Sequence, residues 1–311
     1  MSSAATITAQ KLGRSFGATA AVRDINFSIQ RGEIFGFAGP DGAGKTTVMR
    51  MLAGVLRPDS GSIAVEGIDV IANPEAAKSK LSYMPQRFGL YEDLTVAENI
   101  FFYAELFSVP RKLRRARAGE LLEAAGLTAF QQRLAGQLSG GMKQKLGLVC
   151  ALIHTPSVLL LDEPTTGVDP VSRRDFWAIL YNLRESGVTI VLSTAYMDEA
   201  ERCSRLALMH AGKIHYCDTP ARLKQAMPGM LLAITAADPR AVRAALADAP
   251  GVLGLLLMGD RVNVRVDDAA RRAPELRAKL DARNIAFTGI NRIEPAIEDV
   301  FVALVGGGAP A

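Results

Sequence analysis

The sequence predicts an α/β fold, and three observations support this prediction. Short apolar runs of strand length, such as residues 34–38 and 157–161, alternate with helical patterns, as in a parallel sheet covered by helices. The first run is followed by a glycine-rich loop, residues 39–47, and then by a helical pattern over residues 48–53. The second run ends in the carboxylates of residues 162–163, at the strand end where open α/β sheets bind ligands.

The loop at residues 39–47 has the Gly-x-x-x-x-Gly-Lys-Thr spacing of a phosphate-binding P-loop, between a strand and a helix as that motif requires. Its glycines let backbone N–H groups turn inward around a phosphate, and the helix N-terminus adds partial positive charge. Lys45 is predicted to reach the β- and γ-phosphates, and the Thr46 hydroxyl to ligate Mg²⁺. A glycine turn that binds nothing is the disfavoured alternative. We therefore predict a P-loop NTPase core of the RecA-like kind, with antiparallel β and helical subdomains. The predicted nucleotide contacts are Gly39, Pro40, Asp41, Gly42, Ala43, Gly44, Lys45, Thr46 and Thr47.

Length and composition limit the class of protein. The 311 residues suggest about two domains, and 49% of them are hydrophobic, enough for a large core. No run reaches the ~18 apolar residues of a membrane span, and the first residues lack signal-peptide features, so we expect a soluble, cytoplasmic protein. The net charge of +4 fits a nucleic-acid partner or an anionic membrane face, and does not choose between them. Three scattered cysteines lack metal-ligand spacing and are expected to be reduced.

The segment before the P-loop alternates as strands do from residue 5 to residue 35. Phe16 lies within it, in the glycine-containing turn Ser15-Phe16-Gly17. An exposed ring at this point can stack on a purine, whereas a core residue at a strand end fits the spacing equally well.

The segment after the P-loop predicts one strand over residues 62–69 and another over residues 81–85, which delivers Gln86 into a loop. A capping box at residues 95–98 opens an aromatic-rich helix that ends near Phe107. Further helix is predicted over residues 112–125. Its start is basic, which favours a solvated helix face over contact with lipid headgroups or an acidic partner. The basic residues are Arg111, Lys112, Arg114, Arg115 and Arg117.

The next elements contribute a second anion site and the acidic groups. Residues 138–144, Leu-Ser-Gly-Gly-Met-Lys-Gln, open a helix that Ser139 can cap, although an ordinary cap would look the same. The strand at residues 157–161 then presents Asp162, which suits a Mg²⁺-organising role, and Glu163, which suits a base that polarises the attacking water. A helix over residues 172–186, a strand over 188–192, a helix over 197–203 and strands over 205–209 and 213–216 follow.

Composition changes after about residue 227. The pattern then reads strand 231–236, helix 240–246, strands 252–257 and 262–266, helix 269–281, strand 285–290 and helix 295–305, which is the order of a small α+β ferredoxin-like unit. No catalytic cluster is evident in it. We expect an ATP-binding domain over residues 1–225, with a helical subdomain at about 90–155, an accessory domain over 226–305, and a disordered tail over 306–311.

The P-loop, the Gln86 loop, Leu-Ser-Gly-Gly at 138–141, Leu-Leu-Leu-Asp-Glu-Pro at 159–164 and Gly-Val-Asp-Pro at 167–170 occur in one order. That set resembles the ATP-binding subunit, or nucleotide-binding domain, of an ABC transporter over about residues 5–225. The remainder resembles the accessory region of drug-exporter ATPases of the ABC-2 class. A closer resemblance, carried by residues 39–44, 83–96 and 139–148, is to the first cassette of tandem-cassette ATPases of the YbhF type.

The resemblance implies two cassettes paired head to tail, as a homodimer or a heterodimer, with two ATP molecules at the interface. Ser139, Gly140 and Gly141 would contact the partner's ATP, and Asp169 would communicate across the interface. This chain's own ATP would bind to Lys45, and Phe16 would stack on its adenine. Thr46, Gln86 and Asp162 would serve Mg²⁺. Glu163 and Gln86 would be the catalytic residues.

The resemblance also implies a place in the cell and a partner. The aromatic region from Phe88 to Phe107 would receive a cytoplasmic helix of an ABC-2-type membrane subunit, so the chain would lie peripherally on the cytoplasmic face of the membrane. The function implied is ATP hydrolysis that energises an exporter of drugs or other molecules, with no nucleic-acid partner.

The chain departs from the family pattern after the strand at residues 188–192. The family places a histidine that contacts the γ-phosphate in Ser-Thr-His-Tyr, and here that position is Ala195. Alanine has no hydrogen-bonding side chain, so slow hydrolysis at this chain's own site is expected. Two alternatives remain: a regulatory ATP-binding cassette with little hydrolysis of its own, and a soluble ABC ATPase that acts on nucleic acid or ribosomes.

Overall fold

A computed structural model describes residues 5–87 and 89–305 of the chain. Phe88 and the predicted tail at 306–311 lie outside the described residues. The chain forms two compact units, which divide between Cys217 and Asp218. The boundary predicted from composition, after residue 225, lies within the second unit. No helix in the described ranges is both long enough and apolar enough to cross a membrane.

The first unit contains ten strands and seven α-helices within the described residues. The strands are β1 (Ala5–Phe16), β2 (Thr19–Gln30), β3 (Ile34–Ala38), β4 (Ser60–Val65), β5 (Ile68–Asp69), β6 (Leu81–Met84), β7 (Val158–Asp162), β8 (Thr189–Thr194), β9 (Arg205–His210) and β10 (Lys213–Asp218). The helices are α1 (Lys45–Leu52), α2 (Pro74–Lys78), α3 (Val96–Leu106), α4 (Arg111–Ala124), α5 (Gly140–Leu152), α6 (Pro170–Glu185) and α7 (Met197–Ala200).

A six-stranded sheet in the order β10-β9-β3-β8-β7-β6 forms the centre of this unit. Strands β3, β7 and β8 are buried along their whole length, as expected of parallel strands that are covered on both faces of the sheet. β3 pairs in parallel with both β8 and β9, and β7 pairs in parallel with β6 and β8. The carboxyl ends of β3, β6, β7 and β8 therefore meet at one edge, where the P-loop and the predicted carboxylates begin.

A second, four-stranded sheet in the order β2-β1-β4-β5 is the predicted antiparallel subdomain. The single strand predicted over residues 62–69 is wrong, since β4 and β5 are separate and pair as a hairpin. Glu66 and Gly67 between them both have positive φ, at 49° and 76°, which turns the chain back on itself.

Helices α3, α4 and α5 share a hydrophobic core of their own, which includes Ile100, Leu122 and Leu146. The predicted capping box is present, because Thr95 accepts from the backbone N–H of Glu98 and the Glu98 carboxylate accepts from Thr95. These helices lie within the predicted helical range of about 90–155.

The second unit is described by itself. Its elements are α8 (Pro220–Gln225), β11 (Met230–Thr235), α9 (Pro239–Leu246), β12 (Val252–Met258), β13 (Arg261–Val266), α10 (Ala269–Ala282), β14 (Gly289–Ile293) and α11 (Ile297–Leu304). The four strands form a sheet in the order β12-β13-β11-β14, and all three neighbouring pairs are antiparallel. The predicted alternation of strands and helices is present.

One strand of this unit differs from the prediction. The strand predicted over residues 285–290 begins only at Gly289, because Ile285 is held at the end of α10 by a bond from its N–H to the carbonyl of Leu280. Ile285 and Phe287 instead pack against the core between the sheet and its helices. An apolar run next to a helix end thus looked like a strand from its composition alone.

Candidate nucleotide-binding site

The P-loop has a backbone that only glycine accommodates at several positions. Gly42 and Gly44 have φ values of 77° and 102°, in the left-handed region. A Cβ on Gly39 would lie 2.2 Å from the carbonyl oxygen of Met209, and one on Gly44 would lie 2.4 Å from that of Ala21. The loop leads directly into α1, which begins at Lys45, so free N–H groups of a helix N-terminus face the loop.

Lys45 is only 4% exposed, and its ammonium group contacts three oxygens. Its Nζ donates to the carbonyls of Gly39 and Pro40 at 2.9 and 3.1 Å, and lies 3.2 Å from Oε1 of Glu163. A buried cation surrounded by oxygen atoms at a glycine loop is suited to bind a further anionic oxygen such as that of a phosphate.

Asp162, at the end of β7, is 1% exposed and accepts hydrogen bonds from three hydroxyl groups. Oδ1 accepts from Ser193 at 2.6 Å and from Thr46 at 3.0 Å, and Oδ2 accepts from Tyr83 at 3.2 Å. The Thr46 hydroxyl directs its proton to Asp162, so its oxygen lone pairs stay available to a cation. Burial and the Asp162 carboxylate both raise the pKa of Tyr83, which therefore remains a neutral donor.

Glu163 has a left-handed backbone, with φ of 49°. Its N–H donates to the carbonyl and to Oγ of Ser193, at 3.2 and 3.0 Å, and this anchors the turn. The carboxylate is thereby held between Lys45 and Gln86, whose Nε2 donates to its Oε2 at 3.1 Å. Such a sparsely populated backbone conformation is typical of functional sites.

A cleft of about 610 Å³ lies over these groups. Phe16, at the end of β1, is 49% exposed and lines it, with the Arg14 guanidinium 5.0 Å from its ring centre. Of the two interpretations of Phe16, the exposed ring is therefore the observed one. The cleft is lined by Phe16, Thr19, Ala20, Ala21, Arg23, Asp41, Gly42, Ala43, Gly44, Lys45, Thr46, Thr47, Gln86, Glu163 and Ala211.

Ser139, Gly140 and Gly141 do not line this cleft. Ser139 caps α5 by accepting from the N–H of Met142 at 3.3 Å. Gly141 is buried against α6, and a Cβ there would lie 2.4 Å from Cβ of Ser172. Asp169 caps α6 by accepting from the N–H groups of Val171 and Ser172, and the bond from Ser172 lowers the pKa of Asp169. These two predicted groups therefore neighbour each other, outside the lining of the P-loop cleft.

Residue 195, immediately after β8, has no hydrogen-bonding side chain and is not among the described residues that line the cleft. Ala195 is exposed and follows buried Thr194, whose Oγ1 accepts from the N–H of Tyr196 and donates to Glu199. The Arg173 guanidinium stacks on the ring of Tyr196, with Cζ 4.3 Å from the ring centre.

The three histidines of the sequence occupy other places. His154 contacts the carbonyl of Leu81 and stacks on Phe107, with ring centres 4.1 Å apart. His210 and His215 lie beside each other on β9 and β10. None of them lines the cleft within the described residues.

Two residues at the site, Tyr83 and Ser193, were not predicted from the sequence. Both lie on strands that flank β7 in parallel, and Ser193 is in register with Asp162. The sequence did contain a signal for both residues, because polar residues at the carboxyl ends of neighbouring buried strands are expected to converge once the strand order is known.

Comparisons with known proteins agree with this geometry. The ABC transporter family profile matches residues 22–166. Over 290 residues the chain is 45% identical to the "probable multidrug ABC transporter ATP-binding protein YbhF" of Escherichia coli, covering 92% of this chain and 49% of that protein. The chain thus spans about half the length of the YbhF proteins that it matches.

Two further relatives match along nearly their whole length. The Nod factor export ATP-binding protein I of Burkholderia pseudomallei is 38% identical, over 98% of both chains. The daunorubicin resistance ATP-binding protein of Streptomyces coeruleorubidus is 32% identical, over 96% of this chain and 95% of that protein.

Solved structures show the same fold. An ATP-binding subunit of an ABC transporter is similar with a TM-score of 0.64 at 28% identity, covering 71% of this chain and 92% of that one. A dimeric bacterial ABC transporter cassette is similar with a TM-score of 0.63 at 25% identity, covering 68% and 98%. The chain belongs to the ATP-binding proteins of the ABC transporter family.

Proposed function

We propose that this chain is the ATP-hydrolysing subunit that energises an ABC-2-type membrane exporter from the cytoplasmic face of the membrane. The observation that carries the proposal is the convergence of Lys45, Thr46, Asp162 and Glu163 at the carboxyl edge of one parallel sheet. Relatives that match along their whole length are an export protein and a drug-resistance protein by name, which supports export as the purpose.

The donor set fits Mg²⁺. The Thr46 hydroxyl, the Asp162 carboxylate and the Gln86 amide supply hard oxygen ligands, which this ion prefers. The proton of Thr46 is already directed to Asp162, as a cation-ligating hydroxyl requires. When bound with ATP, Mg²⁺ supplies charge neutralisation at the β- and γ-phosphates.

Glu163 is proposed as the base that polarises the attacking water, with Gln86 holding its carboxylate in place. The Lys45–Glu163 ion pair couples binding to chemistry. A γ-phosphate competes with Glu163 for the Lys45 ammonium, so ATP binding releases a carboxylate that can then act on water. Phe16 stacks on the adenine, and the glycine loop from Gly39 to Thr47 holds the phosphates.

We propose that two cassettes, alike or different, pair head to tail around two ATP molecules. Ser139, Gly140 and Gly141 then contact the partner's γ-phosphate, and Asp169 lies at the interface. Support comes from the position of this cluster outside the lining of the chain's own P-loop cleft, and from the similar cassette whose printed title calls it dimeric.

The membrane subunit is proposed to insert a cytoplasmic helix beside α3. Aromatic and apolar side chains are exposed around this helix, and such a patch is suited to receive an amphipathic helix. The exposed side chains are Tyr91, Phe101, Phe102, Leu106 and Phe107. For the second unit we propose a ferredoxin-like accessory domain, on the basis of its strand order, with an ATP-binding domain and a helical subdomain before it.

The experiment is purification of the chain from cells that also contain candidate ABC-2-type membrane subunits. We expect an integral membrane protein to co-purify and to stimulate ATP turnover. Co-purification of RNA, DNA or ribosomes without a membrane protein would instead establish the soluble nucleic-acid-acting ATPase and refute the exporter.

Exposed Ala195 favours a second candidate, a regulatory cassette that binds ATP and hydrolyses little. Loss of a preorganised γ-phosphate contact costs on the order of 10²–10³ in rate, while binding through Lys45 and the loop is retained. Turnover that stays negligible in the purified complex, with ATP bound stoichiometrically, selects this candidate.

A further inference from the structure

One face of the Phe16 ring is covered by a cation. The Arg14 guanidinium lies over the ring with Cζ 5.0 Å from the ring centre, within the distance of a cation–π contact. Phe16 lines the cleft over the P-loop, whereas Arg14 is absent from the lining that the described residues form. The guanidinium therefore lies on the side of the ring that is turned away from the cleft, and the side toward the cleft is left for a ligand.

Arg14 is itself held by the turn that precedes β4. Its Nη1 donates to Oδ1 of Asp59 at 2.6 Å and to the carbonyl of Arg57 at 3.2 Å. The other carboxylate oxygen of Asp59 accepts from the N–H of Ser15 at 2.7 Å. One carboxylate thus holds both the guanidinium and the backbone beside Phe16. Because hydrogen bonds between charged groups are stronger than neutral ones, the guanidinium has a defined position against the ring.

The carboxylate is in turn attached to the paired part of the sheet. The N–H of Asp59 donates to the carbonyl of Gly13 at 2.9 Å, and Gly13 lies opposite Ser60 in the antiparallel pairing of β1 and β4. The two strands approach closely here, since a Cβ on Gly13 would lie 2.6 Å from Oγ of Ser60. The Arg14–Asp59 pair therefore connects an exposed ring at the end of β1 to the backbone of a neighbouring strand.

Another ion pair of the first unit, between Arg31 and Glu66, provides an internal comparison. Both pairs join an arginine to a carboxylate next to β4, but within the described residues Arg31 lies over no aromatic ring. The Arg31 side chain is 60% exposed, whereas that of Arg14 is 26% exposed. Exposed ion pairs generally contribute little to stability. The contact with the ring is thus the feature that distinguishes Arg14.

We propose that Arg14 is a positioning residue for the nucleotide base, which holds the Phe16 ring so that its open face stacks on the adenine. The order is then guanidinium, ring and base. This inference rests on the proposed function, in which Phe16 stacks on the adenine. A ring that is already held loses less freedom when the base binds, which favours binding. The effect is confined to the base, because the phosphates bind at Lys45 and the glycine loop.

The test compares two ligands of the full chain in the presence of Mg²⁺: ATP, and inorganic tripolyphosphate, which has the phosphates without a base. Isothermal titration calorimetry gives the Kd for ATP, and displacement of ATP gives that for tripolyphosphate. Arg14→Gln removes the cation, Phe16→Ala removes the ring, and a further variant combines both changes. Asp59→Asn loosens the guanidinium without removing it. Arg31→Gln is the matched control for the lost charge, and thermal unfolding checks that each variant is folded.

Phe16→Ala is expected to raise the Kd for ATP roughly tenfold, since stacking of a base on an aromatic ring contributes about that much. Arg14→Gln is expected to raise it about threefold to fivefold, which corresponds to an exposed cation–π contact. Asp59→Asn should act in the same direction. The double variant should bind ATP no more weakly than Phe16→Ala, because Arg14 acts through the ring. Tripolyphosphate should bind all variants equally, and Arg31→Gln should match the original chain.

Three results overturn the proposal. Equal weakening of ATP and tripolyphosphate by Arg14→Gln shows a general effect of charge or folding. A lower Kd for ATP means that the guanidinium occupies the face that the base needs. A loss in the double variant beyond that of Phe16→Ala shows that Arg14 does not act through the ring.

Phe16→Ala separates this inference from the proposed function. If Phe16→Ala weakens ATP binding and Arg14→Gln does not, only the role of Arg14 is refuted. If Phe16→Ala leaves the Kd for ATP unchanged, the stacking of the adenine in the proposed function is refuted, and the role of Arg14 with it.

Discussion

The carboxyl ends of β7 and β8 lie side by side in parallel register, but the residues that follow the two strands differ in their polar side chains. The end of β7 presents Asp162, with three hydroxyl donors, and Glu163, held by Lys45 and Gln86. β8 contributes Ser193 to Asp162, but the residue that follows the strand, Ala195, has only a methyl group. The difference indicates that the groups proposed to bind nucleotide and its cation are separate from the group that, by resemblance to the family, would contact the γ-phosphate after β8. We therefore predict that this cassette keeps nucleotide binding while it hydrolyses ATP slowly.

The largest effect is expected from Glu163→Gln, which removes the proposed base from the end of β7. A positioned base contributes typically 10²–10⁴ in rate, so turnover of the complex should fall by about that factor while ATP affinity stays nearly constant. Steady-state phosphate release and equilibrium nucleotide binding measure the two quantities. Glu120→Gln, on the exposed face of α4, is the control. Unchanged turnover in the complex would show that Glu163 is not the working base.

The converse change, Ala195→His, supplies the end of β8 with a donor. We expect turnover at this chain's own site to rise by up to about 10²–10³, with ATP affinity changed less than about threefold. Ala195→Phe adds similar bulk without a hydrogen bond and should give no gain. Rapid turnover of the original chain that the histidine does not alter is the result that contradicts a degenerate site.

Lys45→Ala tests whether the P-loop lysine binds the phosphates of ATP. Removal of one partner from a buried charge pair commonly costs 2–5 kcal/mol, so ATP affinity should fall roughly 10²-fold. Isothermal titration calorimetry measures it, and Lys78→Ala, whose ion pair with Glu75 is at the surface, is the control. If Lys45→Ala binds ATP as tightly as the original chain, the phosphate does not lie at this ammonium.

The smallest effect is expected from Tyr83→Phe, which removes one of the three donors to Asp162. The Mg²⁺ concentration for half-maximal ATP binding should rise about tenfold, since a hydrogen bond to a charged group contributes about 1.5 kcal/mol or more. Tyr216→Phe, at an exposed position, is the control. Because the pKa of Tyr83 is raised, the effect should not vary between pH 6 and 9. An unchanged Mg²⁺ requirement would mean that Ser193 and Thr46 suffice to orient Asp162.

Most of the site could be predicted because it is encoded in short segments. The P-loop and the acidic pair after β7 are contiguous in the sequence, and glycine, lysine and carboxylate have few other uses in those contexts. The loop position of Gln86 followed from the short strand before it, whereas its predicted role came from the resemblance to ABC transporter ATP-binding subunits. Tyr83 and Ser193 could not be assigned as partners of Asp162 until the strand order was known, because β6, β7 and β8 are far apart in the chain.

Errors in the fold prediction came from apolar runs that composition cannot assign. The run at residues 62–69 is interrupted by a turn at Glu66 and Gly67, and Ile285 packs after a helix instead of starting a strand. In each case a local backbone angle or a bond to a helix end overrides the hydrophobic pattern.

The sequence by itself determined the α/β class, the phosphate loop and the absence of a histidine at residue 195, because each depends on residue identity over a few consecutive positions. Only the tertiary structure decided which side chains share Asp162, and that Ser139–Gly141 neighbours Asp169 outside the lining of the P-loop cleft. Those relations depend on strand order and side-chain direction, which arise when distant segments pack together and are not written in any one of them.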